Sequence, residues 1–119
     1  MSTEMSELQT LRKQLKQFAN EREWTSFHTP KNLASALAVE AAELLEPFQW
    51  LSTGHANELG EQQSQAVADE MADVLSYLIL LADQLNVDLY QATLEKIKRN
   101  AQKYPVELVK GSAKKYTAY

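Results

Sequence analysis

DEMADVLSYLILLADQL, residues 69–85, decides the fold. Between Val74 and Ala82 its side chains are apolar on nearly every side of a helix, broken by Ser76 and closed by Asp73 and Asp83. A helix with no wide polar face is buried, either in a bundle or in an oligomer interface. The run is far short of a membrane span. With its polar lead-in it predicts a helix over 63–86.

Upstream, Leu8, Leu11, Leu15 and Phe18 recur at spacings of three and four, which predicts a helix over 5–22 with one apolar stripe. WTSFHTPK, residues 24–31, has two aromatics, a His and a Pro but no stripe, and reads as an ordered loop whose aromatics pack on the protein. Leu33, Leu37, Ala41, Leu44 and Phe48 predict a second helix over 32–50, tightened near its end by Pro47. LSTGHANELGEQ, residues 51–62, carries Gly54 and Gly60 and reads as a connecting loop. Downstream, Asn86-Val87-Asp88 is a turn in which Asp88 suits an N-cap. A more polar fourth helix covers 89–103, and a tail runs from Tyr104 to 119. The expectation is one all-α domain over 1–119, a four-helix bundle with short connections. A bundle this small, with a helix apolar on most sides, is expected to oligomerise.

The composition agrees. Gly and Pro number three each in 119 residues, β-branched residues are few, and strong helix formers abound. Absence of Cys excludes disulfides and thiolate metal sites. The polar, acidic start has no signal-peptide character, and a cytoplasmic setting is expected with no membrane contact. A formal charge of −4 argues against a nucleic-acid polymer as partner, yet leaves room for one nucleotide whose charge a metal ion offsets.

Two carboxylate pairs stand out inside apolar stretches: Glu40 and Glu43 (EAAE) on the second helix, Glu70 and Asp73 (EMAD) on the third. Members of each pair share a helix face. If the two helices are neighbours, the pairs face one another, and four acids at close quarters repel unless they are protonated or share cations. Mg²⁺ takes oxygen ligands and keeps positions for water and phosphates. Against this, i,i+3 acids on helices are commonplace, and most are solvated. A di-iron bundle needs Glu-x-x-His pairs, but His28 and His55 both fall in loops. Trp24 and Trp50 fit a core or interface as well as they fit a nucleobase stack. Tyr77, four residues after Asp73, reads equally as a core tyrosine. Lys96, Lys98, Arg99 and Lys103 have the pattern of a solvated face.

Beyond these pairs, FANEREWTSFHTPKNL (18–33), EAAELLEPFQW (40–50), DEMADVLSYLILLA (69–82) and NAQKYPVELVKGSAKKY (100–116) resemble the all-α nucleoside triphosphate pyrophosphohydrolases of the MazG-like superfamily, and within it the dCTP pyrophosphatase branch. The resemblance implies a homodimer or homotetramer that hydrolyses a deoxynucleoside triphosphate to the monophosphate and pyrophosphate, cleansing the nucleotide pool. It implies Glu40, Glu43, Glu70 and Asp73 as catalytic ligands of Mg²⁺, with Mn²⁺ as a substitute. Trp24, Phe27 and His28 would line the base and sugar pocket, with Trp50 and Tyr77 as further pocket residues. Lys96 and Asn100 would lie near the nucleotide, and Lys103 and Tyr104 near phosphate. The 51–62 loop has no useful match. Leu15 stands where the animal dCTPases carry a His, which leaves base preference open: dCTP, or another base such as dUTP or dATP. A helical nucleotide-binding module without turnover is the alternative outside enzymes.

Overall fold

The structure, a computed structural model, describes residues 5–112. Tyr116 and Tyr119 of the tail, with the end of the last matching string, lie outside the described residues. Among the described residues the protein is all helical, with no strand. The helices are α1 (Glu7–Glu21), α2 (Pro30–Leu45), α3 (Glu61–Leu85), α4 (Leu89–Lys103) and α5 (Val106–Val109), and 3₁₀ turns occupy Thr25–Phe27 and Ala56–Glu58.

Local chemistry sets the helix starts. Ser6 and Gln9 close a capping box on α1: the Gln9 N–H donates to Ser6 Oγ (3.2 Å) and the Ser6 N–H to Gln9 Oε1 (2.9 Å). α2 starts two residues earlier than the apolar pattern implies. Thr29 caps it by accepting from the Asn32 N–H (3.2 Å), and Pro30 takes the first helical position, where its missing N–H costs nothing. The same helix stops at Leu45 rather than running to 50. Pro47 cannot donate to an i−4 carbonyl, and the chain tightens ahead of it to i−3 bonds from Glu46 to Glu43 (3.1 Å) and then from Phe48 to Leu45 (2.9 Å). Asp88 caps α4 as expected, accepting from the Gln91 N–H (3.1 Å). α5 is a single turn after Pro105 that the apolar pattern does not announce.

The chain forms two compact units, Met1–Asn86 and Val87–Tyr119. In the first, α1 and α2 each pack chiefly on α3. The fully buried residues come from all three helices: Ala19 on α1, Leu33 on α2 (1% exposed), and Ile79 and Ala82 on α3. Asp83, which ends the apolar run, takes Lys16 (3.4 Å) and Arg12 (4.0 Å) from α1. Half-exposed pairs of this kind fix register more than they stabilise. α3 is not covered all round within this one chain, since Met71 is 57% exposed and Leu75 and Leu85 are also open.

In the second unit, Tyr90, Leu94 and Ile97 recur at spacings of four and three along α4, and all three are exposed. Among the described residues, no helix is long and apolar enough to cross a membrane.

Candidate metal and nucleotide site

Packing of α2 on α3 brings Glu40, Glu43 and Glu70 to one point. One carboxylate oxygen from each lies within 4.8 Å of the others, and all three residues are half-buried. The i,i+3 spacing puts Glu40 and Glu43 on one face of α2, while Glu70 comes across from α3. Glu70 Oε2 is enclosed by the protein and has no hydrogen-bond partner. A buried carboxylate oxygen left without a donor is costly, so its isolation points to a group that the polypeptide does not supply.

The charges are strained accordingly. Glu40 is pushed above the usual carboxylate range, first by hydrogen bonding with Glu70 and further by burial and the negative charges of Glu70 and Asp73, while Glu43 acts the other way. Glu43 is raised first by hydrogen bonding with Glu40, then by its charge and by burial, with Glu46 adding repulsion and Glu70 opposing. Without a cation, Glu40 and Glu43 therefore keep their protons to a higher pH than isolated glutamates do. The donor set fits Mg²⁺ on this structure's own terms: carboxylate oxygens only, no nitrogen or sulfur, spaced on the scale of one coordination shell, with one oxygen orphaned.

Asp73, the fourth acid of the motif, lies one turn beyond Glu70 and is exposed. It acts on Glu40 through its charge but is not among the three acids whose oxygens converge. Tyr77 follows on α3, half-buried.

The aromatic loop is ordered, as its composition implies. Trp24 turns its ring edge-on to Phe18 (centroids 5.8 Å apart) and lies 6.5 Å from the His28 ring. Arg22 stacks over the other partner of this group, 3.6 Å from the Phe18 centroid. Asn32 Nδ2 donates to the Phe27 carbonyl (2.9 Å), and the Thr25 hydroxyl donates to Asn20 Oδ1 (2.6 Å). Phe27 itself is 66% exposed and Trp50 87% exposed, so neither serves as a core residue of this chain. A small cleft of about 40 Å³ opens beside His28, bounded by Lys16, Asn20, Thr25 and Asp83. Lys16, Asn20 and Thr25 carry no sequence pattern that marks them as lining a cleft. The charge of Asp83 at the end of an apolar run was the available signal. Lys96, Asn100 and Lys103 lie on α4 in the second unit, at spacings of four and three on one helical face, all exposed.

A model of the MazG-like family matches residues 36–118, from just before the first carboxylate pair to near the end of the chain. The chain belongs to the MazG-like family. The match reaches into both compact units and takes in all four motif acids, while α1 and the aromatic loop at 24–28 precede it. Among relatives of this chain, the dCTP pyrophosphatase 1 of Mus musculus is 45% identical over 115 residues, and that of Homo sapiens 41% over 112. Each alignment covers 92% of this chain and 66% of the relative, so the chain spans just under two thirds of those proteins. The crystal structure of a pyrophosphatase from Archaeoglobus fulgidus superposes with a TM-score of 0.80 at 38% identity, covering 88% of this chain and 98% of that one.

Proposed function

We propose that this MazG-like protein is a cytoplasmic, Mg²⁺-dependent hydrolase that converts a deoxynucleoside triphosphate, dCTP favoured, to the monophosphate and pyrophosphate, acting from one domain formed by residues 1–119. The observation that carries the reading is the convergence of Glu40, Glu43 and Glu70 around an enclosed, unpartnered carboxylate oxygen. The names of the relatives support the substrate class.

In this reading Glu40, Glu43 and Glu70 hold the ion, with Asp73 joining them from one turn away. Mn²⁺ would serve in its place. Bound there, the ion neutralises phosphate charge and lowers the pKa of water. The water oxygen bonds to the α-phosphorus while the bond from that phosphorus to the α,β-bridging oxygen breaks, and pyrophosphate leaves with the electron pair. A carboxylate of the cluster, or Glu46 beside Glu43, accepts the proton of the water. Trp24 and Trp50 offer faces on which a base stacks, with Phe27 and His28 along the pocket. Tyr77 packs on the deoxyribose and leaves no room for a 2′-hydroxyl. The family resemblance alone assigns Lys96 and Asn100 of the second unit to the nucleotide, and Lys103 and Tyr104 to phosphate.

The test is product analysis with the eight common ribo- and deoxynucleoside triphosphates. Pyrophosphate release, greatest with dCTP, is expected. Greatest release from another base would retain the reaction and remove the dCTP preference. Half-buried Leu15, standing where animal dCTPases carry His, is the residue that would account for it. Orthophosphate as product would place the attack elsewhere. No turnover would leave a nucleotide-binding module.

The same reading includes a homodimer or homotetramer. In the first unit Val39, Leu45, Met71 and Leu75 are exposed on the two helices that carry the carboxylates, while only four of its described residues are fully buried. Exposed apolar side chains on these helices support an assembly that covers them. Light scattering at micromolar concentration is expected to give two or four times the 13.5 kDa chain mass, and a clean monomer would overturn the assembly.

A further inference from the structure

Trp50 poses a question that its own surroundings do not answer. At 87% exposure it is the most open large apolar residue among the described residues, yet the backbone around it is held on both sides. Before it, the Leu51 N–H donates to the Phe48 carbonyl (3.0 Å), closing a turn around the tryptophan. After it, one carboxylate gathers the chain. Glu58 accepts the backbone N–H groups of Ser52 (2.9 Å), Thr53 (2.7 Å) and Gly54 (2.9 Å), and the Thr53 hydroxyl as well. Thr53 Oγ1 in turn accepts from the His55 N–H (3.2 Å). Gly54 takes a left-handed φ of 78°, which an L side chain would resist, so the turn has the residue it needs. The donors, the Thr53 hydroxyl first, pull the Glu58 carboxyl down to about 2, so the clasp stays ionised below the ordinary carboxylate range.

Flexible loops lose conformational freedom when they clasp a ligand, and the loss weakens binding. A loop already ordered by its own hydrogen bonds avoids that loss. An indole standing in solvent on such a loop is presented, not stored.

We propose that Glu58 is a positioning residue that fixes the 51–54 turn and so holds Trp50 ready as a stacking platform for the substrate base. The inference rests on the reading of Trp50 as part of the nucleotide pocket. It assigns a task to a segment that lies between the quoted motif strings and carries none of them.

The experiment compares Glu58→Ala, Trp50→Ala and the double variant, all as full chains. For Glu58→Ala the KM for dCTP is expected to rise roughly tenfold, within the range spanned by loss of one base–aromatic stack, with kcat within about twofold of the parent. The double variant is expected to be no worse than Trp50→Ala alone, since both changes remove one interaction. Trp24 and Trp50 are the only tryptophans, so in a Trp24→Phe background the fluorescence anisotropy of Trp50 reports its mobility directly. Glu58→Ala should lower it. Should Glu58→Ala fail to fold, Glu58→Gln keeps an acceptor oxygen for the turn and is expected to show the same changes at smaller size. A raised KM in Trp50→Ala with parental KM and anisotropy in Glu58→Ala would overturn the positioning role alone. An unchanged KM in Trp50→Ala would overturn the platform reading and this inference with it. Additive losses in the double variant, or a fall in kcat matching the rise in KM, would reduce Glu58 to a general support of the fold.

Discussion

Glu40→Gln is expected to lower dCTP hydrolysis by at least about a hundredfold and to leave the helical fold intact. Even outer partners of a metal site cost roughly 10–100-fold when removed, and Glu40 is more central than that: its carboxyl interacts with Glu43, Glu70 and Asp73 together. The amide keeps the size of the side chain, so packing of α2 on α3 is preserved. It removes one negative charge from a group of acids that repel, so the metal-free variant should melt at or above the parent's temperature. Steady-state rates, circular dichroism and melting curves with EDTA check the three parts. Hydrolysis at the parental rate would show that the cluster is not the metal site. Loss of activity with loss of helix would show only that Glu40 supports the fold.

Chelation should have the other large effect. With EDTA, turnover is expected to fall to background and to return on adding Mg²⁺. The same pair of conditions should reverse how stability responds to pH. Glu40 and Glu43 have raised carboxyls in the native state against an ordinary value of 4.5, so without metal the folded protein binds protons more tightly than the unfolded chain does. Their contribution is fully present below the ordinary range and is lost as pH rises through the raised values. Glu58 has the opposite sign, but its window lies lower, between about 2 and 4.5. Immediately above pH 4.5 the metal-free protein should therefore lose stability as pH rises. With saturating Mg²⁺ the carboxylates must be ionised to bind, acid competes with the ion, and stability should rise with pH over the same interval. Melting temperatures across that interval, with EDTA and with Mg²⁺, decide the matter, and parallel slopes would mean that the ion does not bind these acids.

Particular residues show what the chain makes legible. The carboxylate pairs could be found by spacing because helical periodicity is local, and EAAE and EMAD each declare a face. Their convergence depends on α2 packing against α3, so the enclosure of Glu70 Oε2 and the position of Asp73 a turn outside the group emerge only in three dimensions. Thr29-Pro30 is a legible start that the apolar stripe alone places two residues late. The role of Glu58 was hidden for a different reason. Its partners are, apart from the Thr53 hydroxyl, backbone N–H groups, which every residue but proline carries, and only the folded turn shows which of them meet the carboxylate. The exposure of Trp50 was equally out of reach, since an aromatic at a helix end reads the same whether it is covered or open.

The hub position of α3 sets the order in which the molecule can be made. α1 and α2 each find their main partner in a helix that leaves the ribosome after both of them. Until α3 has emerged, α1 and α2 therefore lack their main packing partner, which is the condition under which chaperones engage. Emergence of Ile79 and Ala82 supplies the missing surface for both at once. A chain cut short of Ile79 should therefore be unstructured and aggregation-prone, whereas one that runs through Asn86 carries every buried core residue described in the first unit.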